Sequence, residues 1–334
     1  MSNYNVGQII KLTREAIGLS QEELSDGVCS VQTLSRIENG KVKVKKKTYQ
    51  QLMEKMGRDG TKNYSVLSTE NFELLDIMVE VNNLIFRHEY GAAEKKLEPM
   101  KNALSMEEKI NYVFVRECEI IIDKNLHRIS VEEALEEFEK LIALSIPDYK
   151  AFIHGVYPFF HEEIMLLMNI GHAYGDLGNR KMAIDIYYML IRCMNMGYMR
   201  REDTVQITVM LISSAARLWG GLGQRDRAIR MSWNAIYKAK RNSLYTVLPK
   251  CYGEIAWNMM KQIKDGGRPE KDKKLCKQYL RQAYAVAVLS NQNWLADINR
   301  RIYNDFFGED IYFFCQFPIG ESSPSSESNS TCES

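Results

Sequence analysis

The chain has little proline, almost no net charge and no long apolar run. Only seven of its 334 residues are proline, so helices can continue without interruption. No apolar stretch approaches the roughly 18 to 20 residues that a transmembrane helix needs, and the sequence therefore predicts that the chain does not span a membrane. Residues 2 to 5 are polar and no apolar signal segment follows them, so we expect a cytoplasmic protein.

Signatures of metal binding and catalysis are also missing. The seven cysteines include no CxxC pair, which favours reduced structural thiols, and the five histidines show no metal-binding spacing at i and i+4. His161–Met165 begins like a zinc-protease helix, but Met165 stands where the second histidine is needed. The glycines of Gly175–Lys181 are better explained by a turn between helices than by a phosphate loop. We expect no cofactor, no metal and no enzymatic activity.

Two short helical patterns separated by a three-residue turn occupy residues 19 to 41. Ser20 and Glu23 have the spacing of a capping box at the start of the first helix, and Ser30 is a suitable N-cap for the second. Gly40 is a suitable C-terminal cap. The apolar positions expected to face inward are Leu24, Val28, Leu34 and Ile37.

The outward side of the second helix is predicted to carry short or forked side chains. Gln32 and Arg36 can form bidentate hydrogen bonds with base edges, whereas Val31 offers only an apolar contact to a thymine methyl group. The residues on this side are Val31, Gln32, Thr33, Ser35 and Arg36. Such a set is typical of a recognition helix that enters the major groove of DNA.

Residues 5 to 58 resemble the helix-turn-helix of phage repressors and XRE-type regulators. The residues that carry the resemblance are Gln21, Leu24, Ser30, Leu34, Ile37 and the run Arg36–Lys41. The resemblance implies contacts with DNA phosphates, which fix register without reading sequence, at Gln21, Asn39 and Lys41. It implies contacts with base edges at Val31, Gln32 and Arg36. It also implies a buried ion pair between Arg14 and Glu38.

The N-terminal segment is more basic than the rest of the chain. Residues 1–62 contain 11 Lys or Arg and 7 Asp or Glu, although the whole chain has a net charge of only +1. Lysines crowd the segment after the recognition helix, at positions 41, 43, 45, 46 and 47. Beside a helix-turn-helix, these lysines, Lys43 among them, predict contacts with the DNA backbone. Thr48 is then expected to cap a further helix, and Gly57 and Arg58 to begin a polar exit segment.

Helical periodicity dominates residues 70 to 307, and it repeats. Three pairs of equivalent residues are each 45 positions apart, namely Tyr174 and Trp219, Gly178 and Gly223, and Ala183 and Ala228. Weaker copies follow predicted helices at 70–88, 106–124 and 244–263, and Asn293–Phe307 reads as a terminal cap. The pattern resembles tetratricopeptide repeats, whose stacked helix pairs curve into a superhelix with a concave face.

In tetratricopeptide-like folds the first helix of each pair lines the groove. The first helices were aligned on the small residues Val81, Cys118, Gly171, Ala216 and Ala256. This alignment predicts the groove-lining residues Asn82, Arg116, Glu119, Asn169, His172, Ser213, Arg217, Glu254 and Trp257. Asparagine amides suit an extended peptide backbone, and Arg116 or Arg217 suits a carboxylate. Bonds between helices, or simple solvation, are the alternative roles of each residue.

The sequence therefore predicts an all-α protein in four parts. These are a helix-turn-helix domain of four to five helices at 1–62, a linker at 63–69, a right-handed superhelix of about five helix pairs at 70–310 for sensing and dimerisation, and a disordered Ser-rich tail at 320–334. The short turn before the recognition helix resembles that of the RRNPP group, whose members are controlled by short secreted peptides.

The RRNPP resemblance implies three partners. They are double-stranded DNA with a palindromic operator, a second copy of the chain in a homodimer, and a short peptide that shifts the repeats between two arrangements. Two alternatives remain open. In the first, the repeats serve only protein interaction or dimerisation. In the second, the chain is a scaffold or sequestering protein with a vestigial helix-turn-helix.

Overall fold

The computed structural model describes residues 6–58, 67, 71–198 and 201–311, and within these ranges the fold is all-α. The helices are α1 Val6–Ala16, α2 Gln21–Ser25, α3 Val31–Glu38, α4 Lys46–Lys55, α5 Phe72–Phe86, α6 Tyr90–Ala103, α7 Lys109–Asn125, α8 Val131–Ala143, α9 His161–Asp176, α10 Arg180–Met194, α11 Arg201–Gly221, α12 Arg225–Arg241, α13 Leu248–Lys264, α14 Lys273–Leu289 and α15 Asn293–Phe307. Helices α1 to α4 form the head. Helices α5 to α14 form five pairs and, with α15, make up the repeat region, as predicted.

Local capping determines where the helices of the head begin and end. Ser20 and Glu23 form both halves of a capping box on α2. The Ser30 hydroxyl accepts a hydrogen bond from the Thr33 N–H at 3.1 Å and so caps α3. Just beyond α3, Gly40 has a φ of +67°, a left-handed conformation that favours glycine. The caps predicted for α2 and α3 are therefore confirmed.

The start of α4 differs from the prediction. The sequence suggests Thr48 as the N-cap, but α4 begins earlier and its N-cap is Lys45, whose side chain makes no capping bond. The N–H of Tyr49 donates to the Lys45 carbonyl at 2.9 Å, and the Tyr49 side chain is buried. Burial of a large aromatic side chain is worth more than one hydroxyl cap, which contributes about 1 kcal/mol.

The helix pairs repeat as the 45-residue spacing predicts. Each first helix packs against its own second helix, and each second helix packs against the first helix of the next pair. Ala183 and Ala228, the predicted small residues of the second helices, are completely buried. Gly178 and Gly223 lie in the turns between paired helices with φ values of +83° and +79°. Both positions require a left-handed backbone, which explains the recurring glycine.

The structure describes the C-terminal end of the repeat region and one residue of the predicted linker. Helix α15 spans the predicted terminal cap and ends at Gly308, which has a φ of +65°. Leu67, within the predicted linker, is buried with residues of the first helix pair. The other residues of 63–69, and the predicted tail at 320–334, lie outside the described residues. None of the described helices combines the length and the apolar character that crossing a bilayer requires.

A buried ion pair fastens the head to the repeat region. Arg58, assigned from sequence to a polar exit segment, is only 5% exposed, and its guanidinium lies 3.2 Å from the Glu163 carboxylate on α9. It also donates to the Tyr157 hydroxyl at 2.9 Å and to the Pro158 carbonyl at 3.3 Å, and packs over the Phe160 ring. The prediction for Arg58 was wrong because its partners lie about 100 positions away along the chain.

Candidate nucleic-acid interface and ligand groove

The outer surface of α3 presents the predicted recognition residues to solvent. Gln32, Thr33 and Arg36 are exposed, and Val31 and Ser35 are half-buried. The opposite side of the helix is buried in the core of the head. The two side chains with bidentate hydrogen-bonding capacity, Gln32 and Arg36, are therefore among the most accessible groups of α3.

A buried ion pair fixes the position of α3. Arg14 on α1 donates to both carboxylate oxygens of Glu38, at 2.7 and 3.1 Å, so the expected pair is present, and Glu38 raises the pKa of Arg14. Arg14 also donates to the Leu19 carbonyl at 2.9 Å. The Gln21 amide donates to Glu38 at 2.6 Å, which leaves its second N–H for the predicted phosphate contact. These bonds tie α1, α2 and α3 together.

Exposed lysines follow the C-terminal end of α3. The side chains of Lys41, Lys43, Lys45 and Lys47 are exposed, and cations near a helix C-terminus are favoured by the helix dipole. The Asn39 amide, a predicted phosphate contact, donates to a backbone carbonyl of α3 at 2.7 Å. A concentration of lysines beside an exposed α3 suits the phosphate backbone of a nucleic acid.

Four successive first helices, α7, α9, α11 and α13, contribute to a second polar site in the repeat region. His172 on α9 lies 3.4 Å from the hydroxyl of Ser214 on α11, and Lys250 on α13 donates to the same hydroxyl at 3.2 Å. We call the site the groove cluster and define it as Lys124, His172, Ser214, Arg217, Lys250 and Glu254. It shows that the first helices bring polar side chains together along one face, as in a groove.

Positive charge dominates the electrostatics of the groove cluster. Burial lowers the pKa of His172 to about 3, assisted by Lys250, Lys124 and Arg217, so this imidazole is neutral at pH 7. Burial, together with the nearby Arg217, also lowers the pKa of Lys250. Burial raises the pKa of Glu254 despite both cations. Lys250 and Arg217 are cationic and His172 is neutral, so the site favours an anionic partner.

The two ends of the repeat region meet beside the groove cluster. His88, in the turn after α5, stacks on Trp294 at the start of α15, with ring centroids 3.8 Å apart. Burial lowers the pKa of His88, and Lys124 and Lys250 lower it further, so this stacked pair lies near both lysines. The contact therefore joins the first and the last parts of the repeat region.

The structure brings only some of the predicted groove residues together. His172, Arg217 and Glu254 belong to the groove cluster. Ser213 and its neighbour Ser214 are both buried, at 1% and 5% exposed, but it is Ser214 that bonds with His172 and Lys250 and so belongs to the cluster. Asn82 is exposed on α5 without a contact that connects it to the cluster among the described residues.

The remaining predicted groove residues have partners elsewhere. Arg116 and Glu119 form an ion pair with each other, and Glu119 also pairs with Lys101 of α6. Trp257 lies beside the Lys261 ammonium, which is 5.4 Å from the ring centroid. These bonds between or along helices correspond to the alternative roles that the sequence left open.

Asn169, the last of the predicted groove residues, is bound to a buried carboxyl group. Its amide donates to Glu117 at 2.8 Å, and Glu117 is 8% exposed. Burial raises the pKa of Glu117 to about 8, although the Asn169 bond opposes the shift. Glu117 is therefore largely protonated at pH 7 in the folded chain, whereas the unfolded chain ionises near the ordinary value.

We predict that Glu117→Gln makes the chain more stable at pH 8. Because the folded pKa of Glu117 is raised, its burial destabilises the native state progressively as the pH rises from about 4.5 to about 8. A neutral amide of the same shape avoids this penalty, so the free energy of unfolding at pH 8 should rise by about 2 to 4 kcal/mol. Urea denaturation at pH 5 and pH 8 measures the change. Exposed Glu136→Gln on α8 is the control, and an equal response of both variants would contradict the prediction.

The comparison with known families agrees with the geometry of the head. Residues 10–62 match the family HTH_3, described as helix-turn-helix. The N-terminal domain is a helix-turn-helix domain. Its match agrees with the resemblance to XRE-type regulators, and α2 and α3 are the two helices that give the motif its name. No curated protein matches the chain in sequence.

The helix-turn-helix domain and the repeat region together have the fold of two solved PlcR structures. Bacillus thuringiensis PlcR in complex with the peptide PapR7 and DNA is 16% identical, covers 89% of this chain and 99% of its own, and has a TM-score of 0.57. Apo PlcR from the same organism is 14% identical, covers 86% and 97%, and has a TM-score of 0.53. ComR from S. thermophilus with DNA and its signalling peptide is 16% identical, covers 90% and 99%, and has a TM-score of 0.49.

Sequence reasoning found the surface of the helix-turn-helix domain but missed much of the groove cluster. Lys124, Ser214 and Lys250 were not predicted. Lys250 lies one helical turn before Glu254, so a search for charged residues along one helix face had a signal for it. No local pattern pairs His88 with Trp294, because 206 positions separate them.

Proposed function

We propose that this chain is a DNA-binding transcription regulator rather than an enzyme, and that a short signalling peptide bound by the repeat region modulates its DNA binding. The observation that carries the proposal is the exposed surface of α3, where Gln32 and Arg36 project from a helix-turn-helix domain. Its helices are held together by the Arg14–Glu38 pair, so the base-reading groups are presented on a fixed backbone.

Recognition of DNA divides between two sets of side chains. Gln32 and Arg36 read base edges in the major groove, and Lys41 and Lys43 hold phosphates. A single helix-turn-helix reads only a few base pairs, so tight binding requires two copies. We propose a homodimer on a palindromic operator, with half-sites separated by about one DNA turn, near 34 Å, or a multiple of it.

The groove supports a peptide as the regulatory ligand. Stacked helix pairs provide an extended concave surface, and His172, Ser214 and Lys250 place hydrogen-bonding groups on the first helices of three successive pairs. The PlcR structure contains the peptide PapR7 and DNA, and this chain has the PlcR fold over most of its length. A peptide with several backbone amides suits such a row of donors and acceptors.

Helix α9 provides a connection between the groove and the helix-turn-helix domain. It carries Glu163, the partner of Arg58, in its first turn and His172 in the groove cluster. A ligand that displaces α9 therefore also displaces the anchor of the domain. Only a difference in ligand affinity between the two arrangements can drive this change.

Selection of DNA by the full-length protein tests the proposal. The protein is mixed with a random pool of duplexes, and retained DNA is amplified and sequenced over several rounds. We expect enrichment of a palindromic site whose half-sites are separated by about one DNA turn or a multiple of it. A double variant, Gln32→Ala with Arg36→Ala, is the control and should retain DNA without enrichment. No enrichment by the wild type would instead favour a scaffold with a vestigial helix-turn-helix.

A further inference from the structure

Two cations of the groove cluster have no counterion. Lys124 lies 3.7 Å from Asp176, so its charge is paired. No carboxylate lies within 4.0 Å of Lys250 or Arg217 among the described residues. The Ser214 hydroxyl is the one acceptor of Lys250 within the part of the chain that the structure describes. Positive charge is therefore concentrated at the meeting point of α11 and α13 and is only partly offset.

Glu254 is the acidic side chain of the groove cluster, yet it is a poor counterion for this pair. It interacts electrostatically with both Lys250 and Arg217 but forms no ion pair with either. Burial raises its pKa, which means that the fold disfavours its ionised form. Lys250 is half-buried and Arg217 is exposed. A half-buried ammonium without a full counterion, as at Lys250, is unfavourable in the ligand-free protein, and an added anion relieves that penalty.

The surroundings of the two cations suit a small planar anion on a flexible chain. Neutral His172 and the Ser214 hydroxyl lie beside Lys250 and add hydrogen-bonding groups without adding charge. The His88–Trp294 contact, between the first and the last helices of the repeat region, lies near the same lysines. The Arg217 guanidinium can hold a carboxylate through two parallel hydrogen bonds.

We infer that Lys250 and Arg217 bind a carboxylate of the peptide ligand, supplied either by its C-terminus or by an Asp or Glu side chain. This inference rests on the proposed peptide-binding function and adds the charge of the ligand to it. A peptide that lacks both kinds of carboxylate leaves the two cations unpaired and binds more weakly. Charge-assisted hydrogen bonds of this kind predict a loss of about tenfold or more.

Three pools of synthetic heptapeptides with shared random sequences test the inference. The first lacks Asp and Glu but has a free C-terminus, the second is the same pool amidated, and the third is amidated but contains one Asp. Full-length protein is mixed with each pool, and retained peptides are quantified by mass spectrometry after gel filtration. We expect the first or third pool to be retained at least about tenfold better than the second, and which of the two prevails identifies the source of the carboxylate.

Variants of the two cations complete the experiment. Lys250→Met and Arg217→Met should each abolish the preference, whereas Lys238→Met and Arg230→Met, which replace exposed residues of α12, should keep it. Thermal unfolding shows whether each variant is folded, and removal of an uncompensated cation is not expected to lower the melting temperature. Equal retention of all three pools overturns the inference alone. Retention of no pool overturns the inference and the proposed peptide binding together.

Discussion

Replacing Arg58 by methionine should lower the free energy of unfolding by about 3 to 5 kcal/mol. The Arg58 and Glu163 side chains are only 3% and 2% exposed, so the substitution leaves a buried carboxylate without its cation. Methionine fills much of the same space and keeps the contact with the Phe160 ring, but it provides neither charge nor donor. Urea denaturation at pH 7, followed by circular dichroism, measures the loss.

A double-mutant cycle separates the ion pair from general disruption of the interface. Glu163→Gln removes the charge that Arg58→Met strands, and the new amide can still accept the bond that Glu163 accepts from the Phe160 N–H at 2.8 Å. The double variant should therefore lose clearly less stability than the sum of the two single variants. Additive losses would show that Arg58 and Glu163 are not coupled. That result would contradict the claim that this ion pair fastens the head to the repeat region.

The second large effect is expected for Arg14→Met. Glu38 is 6% exposed, and of its partners among the described residues the Gln21 amide alone would remain to bind its carboxylate. We expect a loss of about 3 to 5 kcal/mol in the stability of the helix-turn-helix domain. Affinity for selected DNA should fall with it, because the end of α3 is no longer fixed. Denaturant titration and band-shift assays on the same protein measure both quantities.

Lys11→Met on the same helix is the matched control for Arg14→Met. Lys11 is half-buried, and no ion pair of Lys11 is found among the described residues. Its replacement should change the stability by about 0.5 kcal/mol or less, as is usual away from buried charges. A similar loss in both variants would mean that the Arg14–Glu38 pair contributes nothing specific.

Features encoded within a few neighbouring residues could be predicted from the sequence. The capping hydroxyls of Ser20 and Ser30 act on N–H groups three residues away, and Gly178 and Gly223 mark turns by their own backbone conformation. The helix-turn-helix and the five helix pairs follow from such local signals. The repetition at 45 residues supports the prediction of helix pairs, because the same local pattern occurs twice.

Features that depend on the curvature of the repeats could not be predicted. Arg58 is an ordinary polar residue in sequence, and only the docking of the head on α9 makes it a buried one. The groove prediction assumes that all first helices present equivalent faces, yet Ser214, rather than its neighbour Ser213, bonds with His172 and Lys250. Small differences in helix rotation decide which of two neighbouring hydroxyls points toward the cluster, and no sequence pattern records them.

The most direct test of the central claim compares base reading with backbone binding on α3 and its flank. DNA affinities of Arg36→Ala and Lys41→Ala are measured on the selected operator and on a scrambled duplex, at several salt concentrations. Our account predicts that Arg36→Ala loses about 1 to 3 kcal/mol on the operator alone. Lys41→Ala should weaken both duplexes alike and reduce the salt slope by about one. Equal weakening of operator and scrambled DNA by Arg36→Ala would contradict the claim that α3 reads DNA sequence.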